Sequence, residues 1–205
     1  MGDTAARKKI RMLALREFLD QVVLRTSFEK RIANDPLGIV KEFDRADQEV
    51  VALIASTLAY GRVDLLRPAI RRALTPLGEQ PALALAGPRE HWAGQLNDFV
   101  YRMTRGADIE DLFDAIASVL RSHGSLEALY AGTNGSHLER ASEFVSALRD
   151  RRGREELTRG YRYLLPSPAD GSATKRLHMF FRWVGRGPDE VDLGLWRALD
   201  PVSDT

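Results

Sequence analysis

The segment DGSATKRLHMFFRWVGR, residues 170–186, has the densest set of side chains in this 205-residue chain that could do chemistry. Next to a Gly-Ser pair and one histidine it holds four cations, namely Lys175, Arg176, Arg182 and Arg186. An unprotonated lysine amine is a nucleophile that forms Schiff bases with carbonyl groups, whereas arginine has a permanent charge suited to phosphate. Three interpretations of Lys175 are therefore open: a catalytic nucleophile, a phosphate contact, or a solvated surface residue.

The spacing of apolar and basic residues predicts that this segment is an amphipathic helix. At about 100° per residue, one side of the helix presents the cations Lys175, Arg182 and Arg186. The opposite side presents the apolar residues Leu177, Phe180, Phe181 and Val184. We therefore expect an aromatic face buried in the core and a basic face in solvent.

The start of this helix is a second place where an anion could bind. Ser172 follows Gly171 and has the side chain of an N-cap, so we expect the helix to begin there. Unpaired backbone N–H groups at a helix start attract phosphate groups. The sequence thus predicts nucleic-acid contacts at Gly171, Ser172, Arg176, Arg182 and Arg186.

Basic residues are concentrated in two blocks of a chain whose net charge is only +1. Residues 7–31 contain 8 basic and 3 acidic residues, and residues 149–186 contain 10 basic and 4 acidic residues. The rest of the chain is therefore acidic. This uneven distribution favours a localised anion-binding surface, and DNA or RNA is the partner that we expect there.

The composition excludes several other functions. Cysteine is absent, so disulfides, zinc thiolates and thiol nucleophiles are excluded. The four histidines lie far apart in the sequence, and we predict neither a metal site nor a cofactor. Charged residues interrupt the apolar stretch near the N-terminus, so we predict no signal peptide or membrane span, and we expect a cytoplasmic protein.

Periodicity along the chain is almost entirely helical, and long alternating β patterns are missing. We predict one all-α domain over residues 1–205, with one or two lobes. Helices are expected at 6–25, 63–75, 79–86 and 89–103, and further helices after the caps Asp44, Asp108 and Ser136. The apolar run from Val50 to Ala59 predicts a central buried helix.

Four sequence blocks resemble an uncharacterised bacterial family of all-helical proteins. These blocks are DQEVVALIASTLAYGR (47–62), DFVYRM (98–103), LLPSPADGSATKRLHMFFRWVGR (164–186) and VDLGLW (191–196). The family pattern has Gly-Ser-Ala-Cys-Lys-Arg, then Leu-Arg-Trp, then Asp-Leu-Gly-Leu-Trp. The resemblance covers about residues 10–200 and implies no particular activity.

That family is distantly similar to the helix-hairpin-helix DNA glycosylases, which are bilobal helical proteins. In those enzymes an early lysine of a helix attacks the sugar C1′ of a flipped nucleotide, and a downstream aspartate assists. Leu165-Pro166 and Lys175 fall at corresponding places here, so the resemblance implies Lys175 as a catalytic residue. Asp192 is the best remaining acid near the basic helix. The segment SPADGSAT departs from the pattern, because it is longer and lacks the paired glycines of the hairpin.

The end of the sequence also departs from the pattern. The family continues into a segment resembling Pro-Leu-Asp-Thr-His, whereas this sequence stops at DPVSDT, so we expect it to end before the catalytic-type aspartate. Three hypotheses remain: a nucleic-acid-binding protein, a glycosylase or lyase acting in DNA repair, and a helical scaffold without a nucleic-acid role. The sequence makes no prediction of oligomeric state.

Overall fold

The computed structural model describes residues 2–25, 32–189 and 191–199, and most of them are helical. The principal helices are α1 (Gly2–Leu24), α2 (Pro36–Val40), α3 (Arg45–Leu58), α4 (Val63–Leu74), α5 (Pro81–Ala86), α6 (Gly106–His123), α7 (Leu126–Ala131), α8 (His137–Asp150), α9 (Arg159–Leu164) and α10 (Lys175–Gly185). Short 3₁₀ turns occur at Thr75–Leu77, Arg89–His91 and Pro168–Asp170. The mostly helical content confirms the predicted all-α class.

Helix α3 lies at the centre of the core, as its apolar sequence predicts. Every residue from Val50 to Leu58 is buried, and the helix packs against α2, α4, α5 and α10. Its polar members Ser56 and Thr57 donate their hydroxyl hydrogens to carbonyls one turn back, so their burial leaves no hydroxyl unpaired. The central helix therefore provides an apolar surface on which α10 rests.

Helix α10 buries its aromatic side and exposes its basic side, which confirms the predicted amphipathic pattern. Phe180 and Phe181 are fully buried, whereas Lys175, Arg182 and Arg186 are exposed. Because burying a large apolar side chain contributes about 1.5–3 kcal/mol, the aromatic face holds α10 on the core.

The segment 191–199 completes the carbonyl end of α10. The backbone N–H groups of Leu195 and Trp196 donate to Val184 O at 2.7 and 2.8 Å, and Leu193 N–H donates to Trp183 O at 2.8 Å. The last carbonyls of a helix have no partner within that helix, so these bonds satisfy groups that would otherwise be unpaired. The segment 191–199 is thereby held against the end of α10 by backbone hydrogen bonds.

The predicted helix at 89–103 is wrong. Only Arg89–His91 forms a 3₁₀ turn, and Val100–Tyr101 (β1) pairs antiparallel with Thr104–Arg105 (β2) in a short hairpin. Gly94 and Arg102 have φ values of 76° and 53°, which a right-handed helix does not accommodate. The turn backbone of this region therefore overrides its weak helical periodicity.

Two predicted helix starts also differ from the structure. Asp108 lies in the first turn of α6 rather than at its N-cap, where its carboxylate accepts from Arg105 N–H at 2.8 Å. Helix α10 begins at Lys175 and not at Ser172. By contrast, Ser136 is the N-cap of α8, as predicted, and it forms a capping box with Glu139.

Two further predictions concern residues near the ends of the chain. The helix predicted at 6–25 corresponds to α1, which begins four residues earlier and ends one residue earlier. Residues 26–31 of the first basic block and the Asp204-Thr205 pair lie outside the described residues. None of the described helices combines the length and the apolar character needed to cross a lipid bilayer.

Candidate functional site

A cavity of about 540 Å³ opens between the end of α8, helix α9 and the loop that leads into α10. Its lining joins residues that are distant in sequence but belong to the second basic block. The charged and aromatic side chains that line it are Arg149, Arg159, Arg162, Tyr163, Asp170, Lys175 and Arg176. Five cations and one carboxylate therefore surround the same cavity.

Three of these cations are exposed and form no ion pair with an acidic side chain in the part of the chain that the structure describes. Arg159 and Arg162 lie on α9, and Lys175 begins α10. Among the described residues, none forms an ion pair or a side-chain hydrogen bond with these three side chains. The three cations are thus available to a negatively charged ligand, and they repel one another in its absence.

The single carboxylate in the lining is already bound by a fourth cation. Arg149 Nη2 lies 2.7 Å from Asp170 Oδ2, and the same nitrogen donates to Leu165 O at 2.8 Å. The hydrogen bond from Arg149 lowers the pKa of Asp170. Arg149 is mostly buried, so it holds the loop 165–170 against α8 and is not a free contact.

The fifth cation, Arg176, is built into the wall. Its guanidinium donates to the carbonyls of Thr57 and Tyr163, and it lies over the rings of Tyr60 and Tyr163 at 4.9 and 4.7 Å from their centroids. Burial lowers the pKa of Arg176. These contacts tie the start of α10 to the end of α3 and to α9, so Arg176 shapes the cavity.

The backbone immediately before Lys175 has an unusual conformation. Thr174 has a φ of 44°, in the left-handed region that β-branched residues rarely adopt. Its hydroxyl lies 2.9 Å from His178 Nδ1, and its N–H donates to Ser172 Oγ at 3.2 Å. Ser172 therefore closes a turn one step before the helix, which explains why α10 begins later than the cap residue predicts.

The structure brings only part of the predicted site together. Lys175, Arg176 and Ser172 line the cavity, whereas Gly171, Arg182, Arg186 and Asp192 are not among its lining residues. Lys175 and Asp192 are accordingly not brought into one cavity. As contacts to nucleic acid, all of these residues remain predictions.

Arg182 lies two turns after Lys175 on α10, and it forms an ion pair with Asp192 outside the cavity lining. Arg182 Nε lies 3.4 Å from Asp192 Oδ1, and the Asp192 side chain is 2% exposed. Burial raises the pKa of Asp192, and the charge of Arg182 acts against that rise. This pair joins the segment after α10 to the helix, so Arg182 has a structural partner.

Sequence reasoning missed three of the cavity cations. Arg149, Arg159 and Arg162 were counted in the second basic block but were not named as site residues. The positive charge of that block was the one sequence signal for these arginines, because their proximity to Lys175 depends on how α8 and α9 pack around the loop.

Among the described residues, no cluster of histidine and acidic side chains could hold a metal ion.

The comparisons with known proteins identify a family. A family model with the description "Protein of unknown function (DUF2400)" matches residues 35–203, which is most of the chain. The chain therefore belongs to this family. Neither the curated proteins nor the solved structures gave a match.

Proposed function

We propose that the cavity binds the phosphate backbone of a nucleic acid. The observation that supports this function best is the convergence of Arg159, Arg162 and Lys175, three exposed cations that form no ion pair with any of the described residues. Like charges held close together cost free energy, and a polyanion reverses that cost. A protein that binds several phosphates at once gains affinity by releasing counterions from the nucleic acid.

The first turn of α10 adds to the attraction. His178 N–H donates to Thr174 O at 3.0 Å, so the hydrogen-bonding pattern of the helix begins only there. The N–H groups before it face the start of the helix, next to Lys175 and Ser172. A phosphate in the cavity would therefore meet backbone donors as well as cationic side chains.

A glycosylase or lyase acting on damaged DNA is the second candidate function. It draws on the distant resemblance to helix-hairpin-helix glycosylases, and it is favoured by the position of Lys175 in a cavity that also contains the carboxylate of Asp170. In that reaction the lysine amine replaces the base at C1′ and forms a Schiff base with the opened sugar. Borohydride would reduce that Schiff base to a stable adduct, and loss of the adduct in Lys175→Ala would support this second candidate function.

We further expect a cytoplasmic location.

The binding proposal is tested by fluorescence anisotropy with labelled single-stranded DNA, duplex DNA and RNA. The test variant is Arg159→Ala/Arg162→Ala/Lys175→Ala. The control variant is Arg62→Ala/Arg121→Ala/Arg197→Ala, which removes three exposed arginines that lie outside the cavity lining.

We expect the test variant to lose at least about tenfold in affinity, because three phosphate contacts disappear. The control should stay within about twofold, because distant charges are screened at physiological salt. Equal losses in both variants, or no binding by the unmodified protein, would overturn it.

A further inference from the structure

Tyr163 is the aromatic residue among those that line the cavity. It lies on α9 directly after Arg162, and 36% of it is exposed. A tyrosine ring that borders a cationic cavity offers a flat apolar surface beside phosphate-binding charges. That combination is typical of sites that bind unpaired nucleotides.

The Tyr163 ring is held from behind by two neighbours. Arg176 lies over it at 4.7 Å from the ring centroid, and the Tyr60 ring packs against it at 5.0 Å with an interplanar angle of 79°. Both contacts are aromatic interactions of favourable geometry. The exposed part of Tyr163 therefore belongs to a ring whose orientation is set before any ligand arrives.

Tyr60 is itself immobilised by the β1–β2 hairpin. Its hydroxyl lies 2.8 Å from Thr104 Oγ1 and donates to Tyr101 O at 3.1 Å, while the Tyr101 hydroxyl donates to Tyr60 O. Burial raises the pKa of Tyr60, so its hydroxyl stays protonated as a donor at neutral pH. The hairpin, which the sequence did not predict, thus supports the aromatic wall of the cavity.

We propose that Tyr163 stacks an unpaired nucleobase while Arg159, Arg162 and Lys175 bind the adjoining phosphates. This inference rests on the proposed function and specifies its ligand class as single-stranded nucleic acid, or a strand with one extruded nucleotide. The cavity of about 540 Å³ falls within the range of about 300–1,000 Å³ that is usual for sites of small ligands. It therefore suits one nucleotide rather than the width of a duplex.

The alternative ligand is an anion without bases, such as a polyphosphate or the backbone of a closed duplex. Such an anion would use the three cations and leave Tyr163 without a partner. The exposed ring, backed by Arg176 and Tyr60, favours the nucleotide, because a stacked base would cover it. The two ligand classes differ in whether affinity depends on bases at equal phosphate number.

The test compares a thymidine oligonucleotide with an abasic oligonucleotide of the same length and with a duplex. The variants are Tyr163→Ala, which removes the ring, and Tyr163→Phe, which keeps it. Alanine substitution at a base-stacking aromatic costs about 1–3 kcal/mol per base. We therefore expect Tyr163→Ala to lose roughly tenfold or more in affinity for the thymidine oligonucleotide. Its affinity for the abasic oligonucleotide should not change. Tyr163→Phe should bind both oligonucleotides about as tightly as the unmodified protein does.

Each outcome separates this inference from the function on which it rests. If the unmodified protein binds no oligonucleotide, both are overturned. If it binds the thymidine and abasic oligonucleotides equally, and binding depends only on Arg159, Arg162 and Lys175, the stacking role alone is overturned. A similar loss in Tyr163→Ala and Tyr163→Phe, or a preference for duplex, would also contradict stacking. Circular dichroism of both variants checks that the loss does not come from unfolding.

Discussion

Arg149 Nη2 lies 2.7 Å from Asp170 Oδ2, and this contact pairs the single carboxylate in the cavity lining with a cation that is mostly buried. The consequence is electrostatic. Asp170 reduces the positive charge of the cavity, and the charge of Arg162 also acts on it. Arg159, Arg162 and Lys175 form no ion pair with any of the described residues. The affinity of the site for anions therefore depends on the net charge of the cavity lining, which one substitution can change.

Asp170→Asn should bind nucleic acid more tightly than the unmodified protein. The substitution removes one negative charge from the cavity and preserves the shape of the side chain. Two unit charges a few ångströms apart in water interact by about 1 kcal/mol, which corresponds to roughly a fivefold change in affinity. Anisotropy titrations at equal salt measure the difference.

The matched control for this variant is Asp64→Asn, which removes an exposed carboxylate paired with Arg62 outside the cavity lining. We expect no change in affinity from the control. Weaker binding by Asp170→Asn, together with an unchanged circular dichroism spectrum, would show that the carboxylate helps to hold the ligand and would contradict the electrostatic account.

Arg182→Ala should act on stability rather than on binding. The Asp192 carboxylate is 2% exposed, and without Arg182 it is left as a buried charge lacking its partner. The expected loss in the free energy of unfolding is about 1–3 kcal/mol, measured by urea denaturation. Arg182→Ala/Asp192→Asn should recover part of this loss, because the uncompensated charge is gone.

The pH dependence of Arg182→Ala follows from the same pair. Burial already raises the pKa of Asp192. Removal of Arg182 takes away the larger of the two arginine charges that oppose this rise, and leaves that of Arg186. The destabilisation of Arg182→Ala should therefore be largest at neutral pH and shrink as falling pH protonates Asp192. A loss of stability independent of pH, or a loss of nucleic-acid affinity as large as that of the cavity triple variant, would contradict this assignment.

Glu49 is a half-buried residue whose loss should destabilise the fold. It accepts from the N–H groups of Leu126 and Glu127 at 3.1 and 2.8 Å and from Trp196 Nε1 at 2.7 Å. It therefore holds the start of α7 and the segment after α10 together. Glu49→Ala leaves these donors without their acceptor, and we expect a loss of at least about 2 kcal/mol in urea denaturation.

The contribution of Glu49 to the free energy of unfolding should depend on pH. Burial raises the pKa of Glu49, so the folded state binds its proton more tightly than the unfolded state does. Its contribution to stability is therefore greatest below the ordinary glutamate pKa and declines as the pH rises through the raised pKa. Glu49→Gln should lack that decline, because it does not titrate. An identical pH profile of the urea midpoint in both proteins would contradict the prediction.

Local patterns predicted the helices that determine most of the core. The burial of Phe180 and Phe181 and the exposure of Arg182 follow from the helical repeat of α10 alone. The same is true of the central helix, whose run of apolar residues from Val50 requires burial on all sides. Such features depend on residues a few positions apart, and sequence periodicity records them directly.

The cavity depends on contacts that periodicity does not record. Arg149 and Lys175 approach the same space because the loop between α9 and α10 folds back onto α8. The late start of α10 arises from the left-handed backbone of Thr174, which the sequence gives no reason to expect at a β-branched residue. The parts of the site that were not predicted therefore depend on contacts between segments far apart in the sequence and on the left-handed backbone at Thr174.

The salt dependence of binding tests the central claim most directly. For single strands, the slope of log affinity against log salt concentration is about 0.7 per phosphate neutralised. If Arg159, Arg162 and Lys175 each bind a phosphate, Arg159→Ala/Arg162→Ala/Lys175→Ala should flatten that slope by about two units. The control Arg62→Ala/Arg121→Ala/Arg197→Ala should leave the slope unchanged. A triple cavity variant with the slope of the unmodified protein would show that these cations do not contact the ligand.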